Sequence, residues 1–203
     1  MSTETKTVRR SNPIATHEQI KNLSIAALMA ALCYVGYAVF PAINASGTKV
    51  HLGNAFVVLG ALLLGPIYGG LAGAVGLTLA DILGGFAASA PRTFICKLLI
   101  GLIVGFIAVK LKKINEQHPV KYVLLWSIIA VVAGLAFNCV FEPALKWLWY
   151  TLLFPNPEQT AKAIKALVGI TSVTTLINAG INSAVGIAIY NVLRPALKKA
   201  SII

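Results

Sequence analysis

From Val50 to Ala80 the chain carries no charged side chain, His51 aside, and Gly65-Pro66 interrupts this apolar run near its middle. Soluble domains seldom sustain such a stretch, whereas a bilayer demands it. An α-helix rises about 1.5 Å per residue, so a hydrocarbon core of about 30 Å takes up roughly twenty apolar residues. The chain is therefore expected to fold as an all-α integral membrane protein. Composition agrees, because only 11% of the 203 residues are charged, where soluble domains carry about a quarter. The net charge of +11 does not mark a nucleic-acid binder, since the basic residues cluster at the ends of apolar runs rather than along one face. Cys33, Cys96 and Cys139 stand alone within apolar runs, without metal-ligand or paired spacing, and read as small buried hydrophobes.

Residues 1–20 read as a polar cytoplasmic segment, 21–193 as the membrane domain and 194–203 as a basic cytoplasmic tail. The first apolar stretch, Leu23 to Phe40, exceeds the roughly 7–15 residues of an export-signal core, so it reads as a retained span. Hydropathy predicts crossings near 21–40, 50–64, 67–86, 93–111, 120–150 and 168–193. Gly65-Pro66 has two readings, a kink in one long helix or a turn between two, and charge discriminates between them. With a turn there, six helices place Lys6, Arg9, Arg10 and Lys21, then Lys110, Lys112, Lys113 and Lys121, then Arg194, Lys198 and Lys199 on one side. An excess of Lys and Arg marks the cytoplasmic side, so both termini are expected there. Asn156-Pro157-Glu158 reads as the start of a short surface helix carrying Lys162 and Lys165.

Small residues recur at helical spacing: Gly65, Gly69 and Gly73; Gly101 and Gly105; Ala26 with Ala30 and Ala27 with Ala31. Such rows let helices approach closely. For most of them the expected partner is another helix of the same chain, while the alanine rows have a second reading as an external docking face.

An ionisable group in hydrocarbon is costly unless paired or wetted, so the depth of the polar residues carries the functional argument. With six crossings, Asp81 lies late in an outward helix, and Arg92, Thr93 and Lys97 lie early in an inward one. Asn138, Glu142 and Lys146 come late in the fifth helix, and Thr174, Thr175 and Asn178 early in the sixth. His51 and Asn54 join from the mouth of the second. All fall in the outer half, which predicts a polar cavity open outward above an apolar floor. Each group also has a structural reading. Asp81 and Lys97 could neutralise each other, and Glu142 and Lys146 form an i,i+4 pair. Asn178 and Asn182 share one helix face and suit interhelical hydrogen bonds as well as a ligand. Trp147, Trp149 and Tyr150 suit an interfacial belt, with one ring free to stack on a planar ligand. His51, where a loop returns to the membrane, reads as a ligand or lid residue.

No phosphate-binding loop, Gly-x-Ser-x-Gly elbow or His-Glu-x-x-His sequence is present, so neither ATP hydrolysis nor hydrolase chemistry is encoded, and no cofactor is expected. One half does not repeat the other, which argues against an inverted-repeat carrier. A pore would need polar residues through both leaflets.

Three segments carry a resemblance: Val50-His-Leu-Gly-Asn-Ala-Phe-Val-Val-Leu-Gly-Ala-Leu-Leu-Leu-Gly-Pro-Ile-Tyr-Gly-Gly-Leu-Ala-Gly, then Leu-Ala-Asp81-Ile-Leu, then Pro91-Arg-Thr-Phe-Ile-Cys-Lys97. With the length, six helices and the Ala-x-x-x-Ala rows, the chain resembles the substrate-binding S component of an energy-coupling factor vitamin transporter. The resemblance implies a multi-pass protein of a bacterial plasma membrane that captures a vitamin from outside, closes the loop after helix one, and topples to release it. Energy would come from a transmembrane coupling protein and two cytoplasmic ATPases. Ala26, Ala27, Ala30 and Ala31 match the family's partner-docking motif. Lys97, Asn138, Glu142 and Asn178 are carried over by position as binding residues, with Asn182 and Trp147 behind them. The chain looks most like members associated with hydroxymethylpyrimidine, the thiamine precursor, or with pyridoxine, with riboflavin or another vitamin, pantothenate behind riboflavin, as the alternative. A stand-alone carrier and a purely structural membrane subunit are the competing classes.

Overall fold

The computed structural model describes residues 13–40, 49–155 and 160–200. Five helices follow one another: α1 (Pro13–Ala38), α2 (Gly53–Leu83), α3 (Ala90–Gly105), α4 (Val120–Leu148) and α5 (Ala161–Lys199). A π-helical turn extends α3 through Phe106–Leu111, and another extends α4 through Trp149–Leu153. No strand occurs among the described residues. A helix satisfies every backbone N–H and C=O within itself, which hydrocarbon requires. All five helices are long and apolar enough to cross a membrane.

The helix α2 is not straight. Gly65 has φ 79° and ψ −171°, outside the helical region, a conformation that glycine adopts without a Cβ clash. Pro66 follows, with no N–H to donate and a φ suited to a first helical turn. Across this break residues equally distant from Gly65 meet. A Cβ at Gly69 would collide with the backbone of Gly60 and Ala61, Gly73 lies against Val57, and Gly53 against Leu77. The limbs 53–64 and 66–83 thus run antiparallel against each other. Contacts of Gly101 with Gly69 and Gly70 bring α3 equally close to the second limb. The glycine rows therefore act as intrachain packing faces.

These limbs form the centre of the bundle. In its most apolar window, 67% of α2 is buried, against 22–39% for the other four helices, which present Leu28, Ile95, Leu124, Val132, Val140, Leu176 and similar side chains outward. Around Gly60 and Gly69 the interior is filled by Val58, Leu59, Leu62, Ile100, Val104, Val131 and Leu135. On one side α1 packs through Met29 against Gly60 and through Gly36 against Phe56; on another, Gly186 of α5 meets Ala55 and Val58. The start of α1 and the end of α5 consequently lie at the same end of the bundle as Gly65.

At that end Asn115, in the connection after the first π-helical turn, donates to the carbonyls of Leu62 (2.9 Å) and Leu63 (3.2 Å) and accepts from the Tyr190 hydroxyl (2.7 Å). Arg194 donates to the carbonyls of Ile114 and Glu116 (both 3.0 Å), and Lys198 to that of Glu116 (2.6 Å). Asn115 thus satisfies carbonyls that the break in α2 leaves free, and the basic residues of α5 satisfy those of the connection before α4.

Two expectations change. Lys162 and Lys165 do not sit on a separate surface helix but in the first turns of α5, whose cap is Thr160, its hydroxyl accepting from the Ala163 N–H (3.2 Å). Asn156-Pro157-Glu158 lies outside the described residues. At about 1.5 Å per residue α5 is about 58 Å long, nearly twice a hydrocarbon core, which is why its boundaries overrun the expected 168–193 at both ends. Similarly, α1 begins by Pro13 rather than at residue 21.

Candidate functional site

The polar residues gather at the end of the bundle away from Gly65, where the first limb of α2 begins, its second limb ends, α3 begins, α4 ends and α5 enters. The construction starts with two asparagines of α5. The Asn178 side chain accepts from the His51 N–H (3.0 Å) and donates to the Lys49 carbonyl (3.0 Å). One turn on, Asn182 accepts from the Ala55 N–H (2.8 Å) and donates to the carbonyls of His51 (2.9 Å) and Asn178 (2.7 Å). Both amides therefore hold the backbone of residues 49–55, which otherwise lacks helical partners at the start of α2.

The segment so held presents His51 and Lys49. His51 accepts at Nδ1 from the Gly53 N–H (3.1 Å), which leaves the other ring nitrogen as the proton carrier, and its ring meets Tyr37 edge-on at 4.9 Å. Burial, reinforced by the positive charge of Lys97, pushes the His51 pKa down to about 3, so the ring is neutral at physiological pH. Lys49 donates to the Phe40 carbonyl (3.0 Å) and lies over the Tyr37 ring at 3.8 Å. It ties together the two ends of segment 41–48. Burial pulls its pKa below the usual lysine range, against the opposing attraction of Asp81.

Below them, Asp81 accepts a hydrogen bond from the Thr93 hydroxyl (2.5 Å). Lys97 pairs with Glu142 at 3.1 Å, and Asn138 donates to the same carboxylate oxygen at 2.8 Å. Lys146 donates to Thr171 (2.7 Å), and Arg92 to Ser89 (3.1 Å). The two electrostatic pairings read from spacing are thus corrected: Lys97 joins Glu142 across the α3–α4 interface rather than Asp81, and Lys146, one turn beyond Glu142, turns to α5.

Between these groups lies a cavity of about 660 Å³ when the open space at its mouth is counted. Two polar atoms at its wall have no hydrogen-bond partner among the described residues, Oδ1 of Asn54 and Nη1 of Arg92. Buried polar atoms left unpaired are uncommon in finished interiors, which makes this wall the candidate place for a ligand.

Residues 17–195 match the family model described as ECF-type riboflavin transporter, S component. The chain belongs to this family. Membership, with five helices long and apolar enough to cross a membrane, makes it a multi-pass cell-membrane protein. Over 64 residues the chain is 41% identical to a protein of Pyrococcus woesei described as an uncharacterized protein in gap 3′ region, covering 32% of this chain and 43% of that one. The match thus spans less than half the length of that relative. No solved structure matches the chain.

Of the residues nominated for this S component from sequence, His51, Asn54, Asp81, Arg92, Lys97, Glu142 and Asn178 line the cavity together. Asn138 lies behind the wall and orients Glu142, and Asn182 is fully buried one turn below, holding residues 51 and 55. Trp147 does not join them: it is 48% exposed on the outer side of α4, because one helix position separates it by about 100° from the inward-facing Lys146. The cavity also uses Tyr37, Lys49, Phe86, Ser89 and Thr171, which sequence reasoning missed. Tyr37 lay one turn after Cys33 on the buried face of α1, and Thr171 one turn before Thr174 and Thr175. Those spacings were the signals.

The alanine rows separate. Ala26 is buried, and the Ala30 carbonyl packs where a Cβ on Gly76 would strike it. Ala27 and Ala31 face outward. As a docking row, the set of four therefore narrows to Ala27 and Ala31.

Proposed function

We propose that this S component captures a small ring-bearing vitamin or vitamin precursor from outside the cell and passes it inward with an ATP-driven coupling module. One observation carries the reading: polar side chains from every part of the chain converge on a single cavity at one end of an otherwise apolar bundle. The basic clusters at the opposite end support an orientation with six crossings, the two limbs of α2 counting separately, and both termini cytoplasmic. The cavity then opens outward, beside the Lys49–Phe40 hydrogen bond. The partners implied are a transmembrane coupling protein and two cytoplasmic ATPases, met through the Ala27–Ala31 face. For the cargo, the family description speaks for riboflavin, and the resemblance noted from sequence for hydroxymethylpyrimidine or pyridoxine.

The test is mass spectrometry of the small molecule that copurifies with the protein, repeated after Asn178→Ala. A ring-bearing vitamin or precursor is expected, weakened or lost in the variant, because the 49–51 segment loses its anchor. Protein that carries no such compound and binds none contradicts the reading. Cargo that equilibrates across liposomes without ATPases would instead make the chain a stand-alone carrier. Ala27→Trp with Ala31→Trp should leave cargo binding intact and lower ATP-driven uptake.

A further inference from the structure

The charges around the cavity do not balance. Among the described residues, Lys49, Arg92, Lys97 and Lys146 line it with Asp81 and Glu142 to oppose them. Lys97 is answered by Glu142, and Asp81 by a neutral donor, the Thr93 hydroxyl. Of the three cations without a carboxylate partner, Lys49 is only partly buried, donates to the Phe40 carbonyl and lies over the Tyr37 ring; Arg92 and Lys146 remain. Both are more than nine-tenths buried, at 7% and 3% exposure, and neither forms an ion pair among the described residues. Arg92 spends one terminal nitrogen on the Ser89 hydroxyl and leaves Nη1 without a partner; Lys146 has the Thr171 hydroxyl. Arg92 also lies over the Tyr150 ring at 5.7 Å, but desolvated cations without a carboxylate partner are costly, and an unpartnered guanidinium nitrogen in a cavity-lining residue is the donor best suited to an oxyanion. Glu158 lies outside the described residues and is the remaining carboxylate in sequence near this end. Even turned inward, it would leave one positive charge in excess.

We propose that the cargo carries an anionic group, a carboxylate or a phosphate, which seats against Arg92 and Lys146. This rests on the capture reading of the same cavity and adds the charge of what is captured. The unpartnered Oδ1 of Asn54 further calls for a hydrogen-bond donor on the same compound.

Rings differing only in the acidic group provide the test. Purified protein is titrated calorimetrically with nicotinate against nicotinamide, pyridoxine 5′-phosphate against pyridoxine, and riboflavin 5′-phosphate against riboflavin, and the copurifying compound is identified. The first pair reads a carboxylate and the other two a phosphate. For the ring that binds, the anionic member should be tighter by about tenfold or more, and Arg92→Gln should reduce that preference to under about threefold. Should Arg92→Gln fail to fold, Lys146→Gln reads the same loss. A neutral copurifying compound, or a neutral member that binds as tightly as its anionic twin, overturns the proposal while leaving vitamin capture standing. If no ring compound copurifies and none of the six titrates, capture itself falls and this inference with it.

Discussion

The two ends of the bundle are made from the same helices and do opposite things. Toward Gly65, backbones touch: Gly69 meets Gly60 and Ala61, and Gly101 meets Gly70. The polar groups there, Asn115, Tyr190 and Arg194, are largely consumed in satisfying one another and loop carbonyls. At the other end long polar side chains from all five helices and the segments between them line a cavity. Small residues close a membrane bundle through contact; a binding site opens where they stop.

Substitutions at each end sharpen that contrast, and the largest effect is expected at Glu142. Glu142→Ala leaves Lys97 buried without its counter-ion, at about 3–5 kcal/mol, read as a lowered midpoint in thermal unfolding of detergent-solubilised protein. At the closed end Gly101→Leu drives a side chain into the Gly70 backbone, costing about 1–3 kcal/mol. It should destabilise without changing which cargo binds. If it altered cargo selectivity, the two ends would not be separate.

Acidification comes next and acts only at the open end. The folded-state pKa of His51, about 3, lies below its unfolded value of about 6.5. Its stabilising contribution is therefore complete above about pH 6.5 and is lost as pH falls toward about 3, amounting to about 2 kcal/mol between pH 6.5 and 5. His51→Gln should flatten that part of the unfolding profile measured against pH. The smallest effect is expected at Trp147→Phe, which leaves the cavity wall untouched: stability should move by under about 0.5 kcal/mol, and cargo affinity should stay within error in the same titration. A tenfold loss of affinity would return Trp147 to the site.

Depth was legible in the sequence, and partnership was not. A bilayer penalises buried charge so steeply that the positions of Asp81, Arg92, Lys97, Glu142 and Asn178 along apolar runs sufficed to collect them at one end. Which carboxylate faced Lys97 depended on how α3 and α4 are rotated, and hydropathy carries no information about rotation when a helix is apolar all round. That ambiguity also merged the alanine rows. Likewise, Gly65-Pro66 was visible as a break, while the fold-back across it rests on close contacts among Gly60, Ala61 and Gly69. Asn115 was overlooked because a polar loop residue looks alike whether it is solvated or caps a helix.

Reagent accessibility in intact cells tests most directly whether the open end is the outward capture end. In a background with Cys33, Cys96 and Cys139 replaced by serine or alanine, a membrane-impermeant thiol reagent should label Ser89→Cys, at the cavity, and not Lys113→Cys, at the closed end. Added cargo should protect Ser89→Cys. Labelling of Lys113→Cys instead, or of Ser89→Cys with no protection by cargo that binds, would contradict the account.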